Sequence, residues 1–206
     1  MTATWLTWSQ QIQAIAQSGL QYTQNPFDAG RYHELSRIAA EIMAFKTDSD
    51  PGEVLRIFAA QEGYATPKVD VRGVVFKGDQ VLLVRELMDG GAWTLPGGWA
   101  DINEPPSLAV ERELREEAGR IVKAKKLLAV YDRNFHGHPP YPFHAYKLFF
   151  LCEEIAETEA DPGETSDPTY FSENALPELS LGRVTPEELK RFFEHHRQAD
   201  LPTDFD

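Results

Sequence analysis

Glu113, Glu116 and Glu117 stand in the run Arg112-Glu113-Leu114-Arg115-Glu116-Glu117-Ala118-Gly119, spaced three and four residues apart. On a helix this spacing puts all three carboxylates on one face. Two such charges about 6 Å apart repel by roughly 3 kcal/mol at an effective dielectric near 20. A divalent cation removes that repulsion, and an all-oxygen donor set with open positions suits Mg²⁺ or Mn²⁺. Val110, Leu114 and Ala118 fall on the opposite face and can anchor the helix. The competing reading is an exposed charged helix on which Arg112, Arg115 and Glu111 form ordinary ion pairs. The flanks decide against it: a Gly97-Gly98 turn precedes the helix, Glu104 lies in the intervening loop, and Arg112 abuts the carboxylates.

Gly98, five residues, Glu104, seven residues and then Arg112–Gly119 resembles the Nudix box, with every charged and glycine position filled. The last position, aliphatic in that signature, departs as Arg120, with Ile121 following. Trp93-Thr94-Leu95-Pro96-Gly97 is similar to the run that leads into the box. The resemblance covers roughly residues 68–200 and implies an α/β/α sandwich with a mixed sheet. It also implies hydrolysis of a nucleoside diphosphate linked to a moiety X. Residues 1–62, with Gln21-Tyr22-Thr23 and Tyr32-His33-Glu34-Leu35, resemble the helical N-terminal extension of a Nudix subgroup associated with ADP-ribose and CDP-choline hydrolysis. A homodimer is implied by the same resemblance.

The resemblance assigns roles residue by residue. Glu113, Glu116 and Glu117 hold Mg²⁺ or Mn²⁺, with Glu113 and Glu117 the strongest ligands and Gly98 beside them. Glu116 and Glu117 serve the catalytic step, while Arg112 and Glu104 pair and orient the ligand helix. Glu164, in Gly163-Glu164-Thr165, is the candidate for a general base or further ligand from a loop after the box. The same acidic stretch also reads as a solvated loop.

Substrate contacts are expected from Asp132-Arg133-Asn134-Phe135-His136-Gly137-His138, which mixes cation, imidazole and ring. Arg133, His136 and His138 can meet phosphates, and Phe135 or Tyr141 can stack on a base or ribose. Arg85, at the end of a strand, is a further phosphate candidate. His195-His196 is read as surface, and Trp5 and Trp8 as helix core or dimer contacts.

These residues need a frame. Trp5, Trp8, Ile12, Ile15, Ala16 and Leu20 follow a helical stripe, and Tyr32, Leu35, Ile38, Ala39, Ile42 and Phe45 a second, after Asn25-Pro26. Asp50-Pro51-Gly52-Glu53 opens a third helix, stopped by Gly63. The pattern turns extended at Thr66-Pro67, giving a helical domain over 1–65 and an α/β domain over 66–206. Strands are expected at Val69–Phe76, Val81–Val84, Leu127–Tyr131, Tyr146–Cys152 and Tyr170-Phe171, with a short piece at Trp93–Pro96. Helices are expected at Ser107–Ala118 and after Thr185-Pro186-Glu187-Glu188.

The chain has 206 residues and a formal charge of −13, with 42% apolar residues and one cysteine. That composition is globular, and Cys152 alone excludes an internal disulfide or a cysteine-based zinc cluster. Residues 153–206 carry 4 basic against 15 acidic side chains, whereas 66–152 are almost balanced at 12 against 11. Nucleic acid is therefore an unfavoured partner, and an anionic small molecule needs metal help. No signal segment or apolar span is read, so a cytoplasmic, membrane-free protein is expected. The leading function is a Mg²⁺- or Mn²⁺-dependent pyrophosphohydrolase acting on a small nucleotide. The alternatives are a nucleotide-sensing module without turnover and an RNA 5′-pyrophosphohydrolase.

Overall fold

The computed structural model describes residues 3–161 and 165–206. It divides into two compact units, Met1–Lys68 with Pro140–His144, and Val69–Pro139 with Ala145–Asp206.

The first unit holds three helices: α1 (Thr4–Tyr22), α2 (Pro26–Thr47) and α3 (Pro51–Ala59). Asn25 caps α2 by accepting from the Phe27 amide, and Asp50 caps α3 through the Glu53 amide, each at 2.9 Å. The buried core is Leu6, Ala39, Ala40, Met43, Ala44, Val54 and Phe58. The apolar stripes read from the sequence are buried only in part: Ala16 and Ala39 are interior and Trp5 and Ile12 pack against the core, but other members stay exposed. Helix α1 turns Leu6, Ser9, Gln13 and Ala16 inward and leaves Trp8 and Ile15 exposed. Helix α2 buries Ser36, Ala39, Ala40, Met43 and Ala44 and exposes Phe45. Small residues win because they let the helices approach closely: Ser9 Oγ donates to the Ala39 carbonyl at 2.8 Å.

The second unit is an α/β/α sandwich. Its strands are β1 (Lys68–Lys77), β2 (Gln80–Glu86), β3 (Trp93–Thr94), β4 (Gly97–Trp99), β5 (Arg120–Asp132), β6 (Ala145–Glu157), β7 (Thr165–Ser172) and β8 (Asp204–Phe205). They run in the order β3-β2-β1-β6-β5-β8, with β4 added on β1 and β7 on β2. The sheet is mixed, because β8 joins β5 in parallel while β2, β4 and β6 pair antiparallel with their neighbours. The β1–β2 hairpin turns at Gly78-Asp79, between the paired Lys77 and Gln80.

Strand alternation sorts the core to two sides. Val71, Val75, Leu82 and Val84 pack with Val110, Leu114 and Ala118 of α4 (Pro106–Ala118). Val74, Val81 and Leu83 pack with Leu189, Phe192 and Phe193 of α5 (Pro186–Arg197). A reciprocal capping box of Thr185 and Glu188 starts α5. Strands β5 and β6 each run 13 residues, well beyond the apolar segments that announced them, because their ends are charged cross-strand pairs such as Lys123 opposite Glu153. The His195-His196 reading needs correction. His195 is buried with Nε2 2.9 Å from Asp204 of β8, and His196 is half-buried, stacked on Phe76.

Candidate active site

Helix α4 presents its acidic face against β4 because two glycines let the backbones come close. A Cβ on Gly73 would lie 2.1 Å from Leu114 Cδ1, so β1 can seat α4 only with glycine there. Gly97 has φ +142°, and a Cβ there would fall 2.0 Å from the Val71 carbonyl oxygen. The strand pairing that sets this places Arg72 opposite Gly97 and Val71 opposite Gly98.

The carboxylates follow from that seating. Glu117 Oε2 accepts the Gly97 amide at 2.8 Å. Burial pushes Glu117 up to about 7, against the pull of Arg72 and of the Gly97 amide. Burial likewise holds Glu113 above its ordinary value, although Arg112 pulls it down. A Cβ on Gly98 would sit 3.1 Å from Glu113 Oε1 and 3.2 Å from Oε2, so glycine keeps that face of the carboxylate open. Glu116 is more exposed and is held by Arg115 at 2.6 Å.

Arg112 ties the group together. Its Nε and Nη2 meet the Glu104 carboxylate at 3.0–3.2 Å, and Nη1 bridges Glu113 at 2.9 Å and Glu116 at 3.0 Å. These bonds, that to Glu104 foremost, hold the guanidinium's pKa far above its ordinary value. The structure thus brings Glu104, Arg112, Glu113 and Glu116 into one network, with Glu117 and Gly98 adjoining. Among the described residues no three acidic or histidine side chains already converge into a metal cage. The donors are nevertheless all oxygen, two of the carboxylates are desolvated, and Gly98 leaves open space beside one. That is a set a hard divalent cation fits.

The expected substrate residues are placed less uniformly. Arg133 and His138 are corrected: neither presents a free charged edge. Arg133 is buried and donates to the Pro139 and Gly182 carbonyls at 2.8 and 3.3 Å. The His138 side chain is fully buried, with Nδ1 2.7 Å from the Leu181 carbonyl and Nε2 3.0 Å from Glu188. Both tie their loop to the start of α5. His136 stacks on Tyr131 and meets Asp206 at 2.9 Å. Phe135 is exposed on a short turn at Arg133–Phe135. Arg85 is half-exposed, donates to the Gly91 carbonyl at 3.1 Å and lies 3.7 Å from Asp167. Tyr141 falls in the helical unit, with its ring against Phe143. Glu164 lies outside the described residues.

Sequence reasoning missed a buried charged group. Arg72 clasps Asp70 at 2.9–3.2 Å, and Lys147 meets the same carboxylate at 2.5 Å. Burial opposes the Arg72 charge, but Asp70, Glu117 and Glu113 more than offset it and hold its pKa above the ordinary value. The available signal was Asp70 and Arg72 alternating with valines in a strand destined for the interior.

A Nudix sandwich with its acidic helix seated on a Gly-Gly strand is what fold and site define, and comparison with known proteins agrees. The NUDIX domain matches residues 66–194, and a domain described as "UDP-X-like, N-terminal oligomerisation domain" matches residues 3–58. The chain belongs to the Nudix family of pyrophosphate hydrolases. It is 41% identical over 203 residues to "Putative ADP-ribose pyrophosphatase YjhB" of Bacillus subtilis (strain 168), covering 98% of this chain and 97% of that one. An ADP-ribose pyrophosphatase of Methanocaldococcus jannaschii is 32% identical, over 57% of this chain and 69% of its own. Among solved structures, a UDP-X diphosphatase superposes with a TM-score of 0.63 at 29% identity, over all of both chains. An ADP-ribose pyrophosphatase of Streptococcus suis gives 0.62 at 36% identity, over 68% of this chain and all of that one.

Proposed function

We propose that this protein is a divalent-metal-dependent pyrophosphohydrolase that cleaves a nucleoside diphosphate joined to a sugar-like moiety, of the ADP-ribose or UDP-sugar kind. The products are a nucleoside monophosphate and the phosphorylated moiety. The observation that carries the reading is the pair of desolvated carboxylates, Glu113 and Glu117, on a helix locked to Gly97-Gly98. The relatives' names supply the substrate class.

Glu113, Glu116 and Glu117 would hold Mg²⁺ or Mn²⁺ together with the Gly98 backbone. A cation held there would supply charge neutralisation at the phosphates and would lower the pKa of a water. Cleavage adds one water to a phosphorus and breaks the bridging P–O bond, so positioning and charge control are the main demands. Arg112 and Glu104 keep the carboxylates oriented, and the apolar face of α4 keeps the helix from shifting. Glu164 is the proposed base. Phe135, His136 and Arg85 remain proposed substrate contacts on exposed or half-exposed surface.

Trp8, Ile15, Tyr22, Phe27 and Phe45 are exposed on the helical unit, whose family match is an oligomerisation domain. We read them as a homodimer surface. The substrate reading is tested by product analysis of ADP-ribose, CDP-choline and a UDP-linked sugar incubated with the protein, with and without chelator. Metal-dependent release of a nucleoside monophosphate from one of them supports it, and release from none rejects it.

A further inference from the structure

The chemistry above makes no use of three charged side chains in the interior of the sandwich. Asp70 and Arg72 come from β1 and Lys147 from β6, and they are 5%, 7% and 1% exposed. Arg72 holds Asp70 with Nε at 3.0 and 3.2 Å and with Nη2 at 2.9 Å, and Lys147 Nζ reaches Asp70 Oδ2 at 2.5 Å. Burial pushes the Lys147 pKa down against the pull of Asp70, whereas Arg72 is held charged, and a buried guanidinium is costly unless carboxylates answer it. Glu117 and Glu113 answer it, since their charges act favourably on Arg72.

The hydrogen bonds show how this group reaches the site. Arg72 Nη1 donates to the Leu95 carbonyl at 3.1 Å. The next residue, Gly73, donates its amide to the Pro96 carbonyl at 2.9 Å. Arg72 itself pairs with Gly97 across β1 and β4. Leu95, Pro96 and Gly97 are therefore fastened one after another to the strand that carries Arg72. Gly97 then offers the amide that holds Glu117 Oε2 at 2.8 Å.

We propose that Arg72 is a positioning residue for the hydrolysis: with Asp70 fixing its fork, it pins the 95–97 segment so that the Gly97 amide aims the Glu117 carboxylate. The inference rests on the reading of Glu117 as a metal-holding group. A guanidinium is needed because one fork must bind a carboxylate and a carbonyl at once, and a lysine ammonium is a single point of charge without that planar reach. Misplacing a reaction-centre group by about an ångström can cost on the order of a hundredfold in rate.

The test uses the full chain with Arg72→Lys and Arg72→Met. Four quantities are measured: kcat and KM on ADP-ribose or whichever substrate the wild type turns over, Mn²⁺ affinity by electron paramagnetic resonance, and the Gly97 amide resonance in metal-free protein. In both variants kcat should fall by about tenfold to a hundredfold with KM within about threefold. Mn²⁺ binding should weaken, and the Gly97 amide should lose the low-field shift and slow exchange of a bonded amide. Arg72→Lys should not rescue although it keeps the charge. An unmoved Gly97 resonance with wild-type kcat in folded Arg72→Lys would overturn the proposal. Where Arg72→Met does not fold, the Gly97 resonance of Arg72→Lys decides. If the wild type itself hydrolyses no nucleotide, the functional reading fails, and the Gly97 and Mn²⁺ measurements still judge the role of Arg72.

Discussion

The Gly97 amide donates to Glu117 Oε2 at 2.8 Å, so a three-residue strand and the last turn of the acidic helix are locked by one bond. Glu117 is held in place while burial works against its charge. Replacing it with Gln removes the charge and keeps the shape. Glu117→Gln should lower turnover by about a hundredfold or more, the scale on which reaction-centre charge stabilisation acts. Its melting temperature should stay at or above that of the wild type, because a desolvated charge has gone. Steady-state kinetics beside a thermal melt check both halves.

Arg112 serves three carboxylates, so its loss leaves Glu104, Glu113 and Glu116 facing one another. Arg112→Ala should cut activity by about tenfold to a hundredfold, as loss of a group orienting metal ligands does. The partly exposed cluster makes the stability cost small, on the order of 1 kcal/mol. Arg112→Lys should recover only part of the rate, since an ammonium cannot fork onto Glu104. Urea denaturation and rate assays separate the two effects.

The close approach of β1 and α4 gives a packing prediction. A methyl on Gly73 would press on Leu114, so Gly73→Ala should destabilise the fold by about 1–3 kcal/mol. Leu114→Ala should cost about 2–5 kcal/mol through its cavity. The double variant should be more stable than the sum of the two, because the cavity receives the methyl. Simple additivity in urea unfolding would show that the two do not share the space.

Asp204 joins Arg191 at 2.6 Å and His195 at 2.9 Å, and Arg191 above all holds its carboxyl well below the ordinary carboxylate range. Below about pH 4 the unfolded chain binds a proton at Asp204 that the folded one refuses, so stability falls as the pH falls. Asp204→Asn should flatten that acid limb between about pH 4 and pH 2 and lower stability at neutral pH. Chemical denaturation across that range reads the difference in slope.

The exposed apolar residues of the helical unit predict association. Ile15→Glu with Phe45→Glu should shift sedimentation toward the monomer without reducing helix content by circular dichroism. An unchanged sedimentation coefficient would place the contact surface elsewhere.

The charged cluster on α4 was legible where its spacing is local. Glu104, Arg112 and the three helix glutamates follow a spacing that a single helix and loop impose, and the structure joins Glu104, Arg112, Glu113 and Glu116 in one network. Arg72 was legible only as a charged residue alternating with valines beside Asp70 on β1; Lys147 of β6 and the Leu95 carbonyl reach the pair only when the chain folds. His138 shows the converse. In sequence it is a loop histidine beside an arginine, and only the fold brings Glu188 and the Leu181 carbonyl to its two nitrogens.

The fold shows the same division. Periodicity of Val110, Leu114 and Ala118 located α4, and the Thr185–Glu188 capping box located α5. The three-residue β4 and two-residue β8 carry no periodic signal and exist only through their partners on β1 and β5. In α1 the apolar stripe included Trp8 and Ile15, which stay exposed, while Leu6, Ser9 and Gln13 from outside the stripe join Ala16 in the interior.

The most direct test of the account is hydrolysis of ADP-ribose in Mg²⁺ by the wild type and Glu117→Gln, with products resolved by chromatography beside CDP-choline and a UDP-linked sugar. The account predicts a nucleoside monophosphate and a phosphorylated partner from at least one substrate, abolished by chelator and by Glu117→Gln. Release from none of them, or full turnover by Glu117→Gln, would contradict it.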